Sequence, residues 1–271
     1  MYTEWPLGRT TAEAQELATL ARERGVQTAA GLQSRVSPAL LYVKDLLDTG
    51  YVGSVLACNV STLREGGPVR GASSTWQADA TQGANTFTIH TGHVIDALRF
   101  VAGDFTRVGG LLATRVPQWT EAGSGRTVPV TSPDTIVVHG QLAGGALASV
   151  HVGAVPWAGT GYRMEIHGTG GTLVVTGTIS SQRGPMLRVQ GAHESRQLAD
   201  LEIPARYALV PADFPQGDPY NVGQMYALFA QAIREGEPPA LLPTFDTAVE
   251  LHRFLDTIRE ASDAGRTLPV R

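Results

Sequence analysis

The stretch Gly83-Ala-Asn-Thr-Phe-Thr-Ile-His-Thr-Gly-His-Val-Ile-Asp-Ala-Leu-Arg-Phe-Val-Ala-Gly103 decides how the rest of the chain is read. His90, His93 and Asp96 recur at a spacing of three, so on a helix they project from one side, while Val94, Ala97, Leu98 and Val101 form an opposite, core-facing stripe. Gly103 closes the helix. A polar row on an apolar helix can line a pocket, where imidazoles bind a hydroxylated ligand or move a proton near neutral pH. Two histidines at a helix start equally fit a capping or purely structural hydrogen-bonding role, and spacing alone does not choose.

Upstream, Tyr2 to Trp5 reads as the end of a strand broken by Pro6-Leu7-Gly8. Thr10 and Glu13 have capping-box spacing, Ala14, Leu17, Ala18 and Ala21 supply a buried stripe, and Gly25 stops a helix of about four turns. Val26 to Ala30 is a short buried strand, which completes a parallel strand, helix, strand unit. One helix over two strands leaves a sheet edge and a face uncovered, so further strands are expected upstream. Ser37 and Pro38 open a second helix, with Leu40, Leu41, Val43, Leu46 and Leu47 apolar and Gly50 as its stop. Val55 to Leu63 alternates as a strand, and Arg64 to Gly83 is a long loop of the kind that is usually functional.

Downstream, alternation marks strands at Phe105 to Val116, Thr135 to Leu142, Ala146 to Val155, Tyr162 to His167, Thr172 to Val175 and Met186 to Gln190. Ala143-Gly-Gly145 and Gly168-Thr-Gly-Gly171 are hairpin links, so the sheet is mostly antiparallel, with one face on a core and the other free for solvent or a partner. Helices from Asp218-Pro219 to Gly236 and from Phe245 to Gly265 follow, and Thr267 to Val270 adds a last strand.

The net charge is −4 and there is no run of Lys or Arg, which disfavours nucleic acid and anionic membranes as partners. Cys58 is the only cysteine, so an intrachain disulfide and Cys-ligated zinc are excluded; no His, Asp and Glu set has metal spacing. No signal-like segment or long apolar run occurs, and a cytoplasmic protein is expected.

Glu4-Trp-Pro-Leu-Gly8, the helix to Gly25, Gly31-Leu-Gln-Ser-Arg-Val-Ser-Pro38, Gly50-Tyr-Val-Gly-Ser-Val55, Gly92-His-Val-Ile-Asp96 and the segment from Asn221 to Gly236 together resemble the Gfo/Idh/MocA oxidoreductases. That family includes glucose-fructose oxidoreductase and inositol dehydrogenase. The resemblance implies an α/β (α+β) chain: residues 1–33 as a remnant of a Rossmann dinucleotide-binding domain, and residues 34–271 as an α/β substrate-binding and oligomerisation domain with a large, mostly antiparallel open sheet. It implies NAD or NADP as cofactor, a sugar or polyol ligand, and a homo-oligomer formed through the sheet. Placed on the family pattern, the chain starts at the Glu-Lys-Pro motif, N-terminally truncated, with the glycine fingerprint and the acidic ribose-binding position outside it. The family lysine, which polarises the reacting hydroxyl, falls on Trp5, and a family aspartate falls on Ile89. Glu-Trp-Pro is similar to a branch that includes the fungal galactose-pathway repressor.

By the same resemblance His93 is the candidate catalytic residue. Trp5, Arg35, Trp76, His90 and Asp79 are candidates for substrate binding, and Glu4 and Pro6 for the cofactor side. The null role for each is ordinary: Trp5 as packing, Glu4 and Arg35 as surface charges or an ion pair, Trp76 and Asp79 as surface loop. Three functions stay open at this point. The first is an oxidoreductase-family protein acting on a sugar or cyclitol, without autonomous hydride transfer. The others are a non-catalytic sugar-binding regulator and a structural partner of a complete homologue.

Overall fold

The computed structural model describes residues 1–177 and 187–270. Strands β1 (Tyr2–Glu4) and β2 (Ala29–Gly31) pair in parallel across helix α1 (Thr11–Glu23), with Thr3 opposite Ala30. β2 starts later than the apolar run suggested, because Val26 is 42% exposed. Thr10 caps α1 by accepting the Glu13 N–H at 3.2 Å, but the Glu13 carboxylate takes the Arg9 N–H at 2.8 Å, so the box is not the reciprocal one its spacing predicts. Ala14 and Ala18 are buried while Leu17 is 39% exposed; small residues, not leucines, face the core here.

A 3₁₀ turn (Gln33–Val36) leads into α2 (Pro38–Asp48), where proline sits in the first turn that needs no donor from it. β3 (Val55–Glu65) follows. The expected long loop is in fact built: β4 (Val69–Arg70) and 3₁₀ turns at Ala72–Ala78 and Ala80–Gln82 occupy it. The histidine stretch is two helices in series, a π-helix (Thr86–Thr91) and then α3 (Gly92–Ala102). This corrects the single polar stripe, since every residue from Thr91 to Leu98, His93 and Asp96 included, is buried.

The remaining elements are β5 (Phe105–Ala113), β6 (Gln118–Glu121), β7 (Thr127–Pro129), β8 (Thr135–Leu142), β9 (Leu147–Val155), β10 (Gly161–Gly168), β11 (Gly171–Gly177), β12 (Arg188–His193), β13 (Ala199–Leu201), α4 (Asp218–Glu235), α5 (Phe245–Ala264) and β14 (Leu268–Pro269). Met186, the expected start of one strand, lies outside the described residues; the rest of that segment leads into β12. Among the described residues the large sheet runs β13-β12-β11-β10-β3-β9-β8-β5-β14, antiparallel except where β3 and β9 pair in parallel. β4, β6 and β7 make a further, three-stranded sheet that alternation had not indicated.

One face of the large sheet is covered by α2, α3 and α5, with Ile136, Val138, Val150, Met164, Ile166 and Leu251 in a continuous core. Alternate residues point the other way, and Leu56, Leu111, Val137 and Leu147 stand 37–65% exposed on the uncovered face. No helix is long and apolar enough to cross a membrane.

Candidate functional site

Trp5, at the end of β1, is 4% exposed. Its indole Nε1 donates to the Thr88 carbonyl at 2.8 Å, and its ring lies 4.6 Å from that of His252 on α5. Gly92 makes this approach possible: a Cβ there would fall 2.8 Å from Trp5 Cε2. The tryptophan therefore ties β1 to the junction between the π-helix and α3. Its one polar atom is engaged within the protein, and it offers no ammonium.

Arg35 reaches α3 from the 3₁₀ turn. Its Nε donates to Asp96 at 3.0 Å, and a second nitrogen closes a bidentate pair; the side chains are 15% and 2% exposed. Burial alone would push the Arg35 pKa down, but the Asp96 charge and hydrogen bonds, with Glu250 and Asp104 further away, hold it above its ordinary value. The guanidinium also sits over the Phe100 ring at 5.4 Å. Asp96 is thus committed to an ion pair.

His93, one turn before Asp96, is 3% exposed, and His90 on the π-helix is half-buried. Glu4 accepts from Gln33 Nε2 at 2.6 Å beside half-buried Pro6, so the ends of β1 and β2 meet the histidine segment at one end of the small sheet. Trp5 and Arg35 reach the segment that carries His90 and His93, through Thr88 and Asp96, and Glu4 and Pro6 flank Trp5 in the chain. Trp76 and Asp79 bond within their own segment. The Trp76 indole donates to the Ser73 carbonyl at 2.9 Å with the residue 47% exposed, and Asp79 accepts from Thr81 and Gln82.

His252, on the final helix, was not singled out in the sequence; the structure sets it against Trp5. No spacing could have found it, because β1 and α5 stand at opposite ends of the chain. Its burial lowers its pKa, partly offset by Asp256. An unfolded histidine ionises near 6.5 and this one lower, so between those values the unfolded chain binds the extra proton. Stability is complete above about pH 6.5 and falls as the pH drops toward the folded value. We expect the urea midpoint to be lower at pH 5.5 than at pH 7.5, and His252→Gln to reduce that difference; an unchanged difference in the variant would refute the assignment.

A dinucleotide pyrophosphate seats on free N–H groups at a helix N-terminus after a glycine turn. At α1 the Glu13 N–H is already capped by Thr10, and the Glu13 carboxylate occupies the Arg9 N–H. At the β1–α1 crossing two donors are therefore already taken within the protein.

The family described as "Gal80p, C-terminal domain" matches residues 38–177. The dehydrogenase aclE of Aspergillus oryzae is 33% identical over 146 residues, covering 52% of this chain and 40% of the relative. The galactose/lactose metabolism regulatory protein GAL80 of Saccharomyces cerevisiae is 29% identical over 315 residues, covering 100% of this chain and 71% of its own length. The chain thus spans well under half of the first relative and most of the second. A solved structure of levoglucosan dehydrogenase, in complex with NADH and L-sorbose, shares the fold at a TM-score of 0.82 and 23% identity, covering 100% of this chain and 73% of that one. The chain belongs to the family of the Gal80p C-terminal domain, in the Gal80-like branch of the Gfo/Idh/MocA proteins, which holds both sugar dehydrogenases and Gal80 regulators.

Proposed function

We propose that this chain is the ligand-binding and self-associating part of a Gal80-like protein. In this reading residues 34–271 take a sugar or cyclitol beside His93, residues 1–33 are what the chain carries of a dinucleotide domain, and the 271 residues do not themselves pass a hydride to NAD or NADP in the cytoplasm. The observation that carries it is Trp5: where the family lysine would polarise a hydroxyl, a buried indole is bonded to Thr88 and packed at a tilt against the His252 ring. His93 keeps an imidazole capable of binding a hydroxyl or accepting its proton, which supports ligand contact without supplying the cofactor's place.

The test has two readouts. Absorbance at the reduced-nicotinamide band, with a panel of sugars and inositols and either cofactor, is expected to stay flat; steady turnover that disappears in His93→Ala would overturn the non-catalytic reading. Calorimetric titration of the same panel is expected to find a ligand whose affinity falls about tenfold or more in His93→Ala. His167→Ala, on β10 and bonded to Thr172, should leave it unchanged. Equal effects of the two substitutions would remove the site assignment.

Self-association is supported by the free sheet face. Leu56, Leu111, Val137 and Leu147 form an apolar background there, and Arg163 and Glu165 lie in one strand as an ion pair that a second copy can exchange. Light scattering at micromolar protein should give a dimer or larger, and Leu147→Asp should shift it to monomer mass. A clean monomer in the unmodified chain would exclude this part of the reading.

A further inference from the structure

A cleft lies at the ends of β3 and β9 beside the three-stranded sheet. Arg64, Arg70, Asn85, Trp119, Ser132 and Asp134 are among its walls, and its volume of about 10 Å³ for the centre of a water-sized group admits one small group. Two hydrogen-bond donors on its walls have no acceptor. Asn85 is 3% exposed; its Oδ1 accepts the Phe87 and Thr88 N–H groups at 3.0 and 3.2 Å, which caps the π-helix, while its Nδ2 has no partner. Arg70 gives one N–H to the Gly66 carbonyl at 3.0 Å and lays its guanidinium over the Trp119 ring at 4.7 Å, but its buried Nε is unpartnered.

Arg70 also has no carboxylate within ion-pair distance among the described residues. Burial pushes its pKa down, the direction expected of a cation held without a counter-charge. Asp134 in the same wall makes no ion pair with Arg70 among the described residues. Asp134 already accepts the Arg115 N–H at 2.9 and 3.0 Å, the Val116 N–H at 2.7 Å and the Thr135 hydroxyl at 2.9 Å.

We propose that this cleft binds a small monovalent anion, a carboxylate tip or a halide, between Arg70 Nε and Asn85 Nδ2. The unpartnered groups are all donors, which selects an acceptor. The uncompensated arginine selects a charged acceptor over water. The narrow volume favours a small or planar group over a tetrahedral phosphate.

The experiment is thermal unfolding and calorimetric titration with sodium formate, sodium chloride and sodium glucuronate, at ionic strength held constant with sodium methanesulfonate. Saturable stabilisation by formate or chloride is the expected result. Formate alone marks a carboxylate source, chloride as well marks the free halide, and glucuronate marks a sugar acid. Two substitutions probe the two donors. Asn85→Asp keeps the oxygen that caps the π-helix but replaces the donor with a negative oxygen, and Arg70→Gln removes the charge; each should weaken the anion effect at least tenfold. A flat response of the unmodified chain to both formate and chloride overturns the proposal, as does an undiminished response in the variants. If either variant fails to fold, the other and the unmodified chain still decide.

Discussion

Replacing Asp96 with alanine should cost about 3–5 kcal/mol of stability, because it leaves the Arg35 guanidinium buried without its partner. For a chain of this size that is a fall in melting temperature of roughly 10 °C. The size comes from the asymmetry of burial: the pair itself need not be worth much against water, but an arginine stripped of its carboxylate cannot return to solvent. Replacing both partners together, Arg35→Met with Asp96→Leu, should recover most of the loss. Chemical denaturation of the single and double variants is the measurement, and a single-variant loss under about 1 kcal/mol would show that Arg35 finds water or another acid. The prediction matters for the site because His93 is carried one turn away on the same helix.

The back-substitution Trp5→Lys should not restore a dehydrogenase. It removes a large buried ring from between Gly92 and His252, and puts a charged ammonium into the space that the ring fills. Cavity and stranded charge together predict a loss on the order of 4 kcal/mol. Melting temperature and the reduced-nicotinamide absorbance should be read on the same sample. A variant that melts within a degree or two of the parent and turns over a sugar would mean that Trp5 is an accessory to a pocket rather than its packed wall.

Much of the architecture is written in local pattern. Glycine stops, the Ser37-Pro38 start and the alternation of β8 to β11 each express one element's own chemistry, and those elements stand where the residues indicate. What local pattern misread was set by distant partners. Leu17 is exposed because α1 meets its neighbours through alanines, β6 and β7 are short strands that exist by pairing with each other and with β4, and the π-helix is held by the Asn85 cap. The site divides in the same way. Family resemblance led to Trp5, Arg35 and His93, yet the commitments that decide their chemistry, Trp5 to Thr88 and Arg35 to Asp96, cross from the segments that follow β1 and β2 to the π-helix and α3. Asn85 gives no sign of a role in sequence beyond a helix start.

The place of β3 in the large sheet has a kinetic consequence. Cys58 pairs with Ala148 on one side and Ile166 on the other, so both neighbours of this early strand come from much later in the chain. β8 and β9 can zip locally as a hairpin, as can β10 and β11, but β3 must be threaded between two such hairpins, one of them in parallel. Loop closure must precede the contacts that reward it, which places this topology among slow folders of high contact order. Until β9 and β10 emerge from the ribosome, the two edges of β3 stand unpaired, and Val55, Leu56 and Val60 form an adhesive segment in the nascent chain. Yield on expression should therefore respond to temperature and chaperone supply more than the stability of the finished fold would suggest.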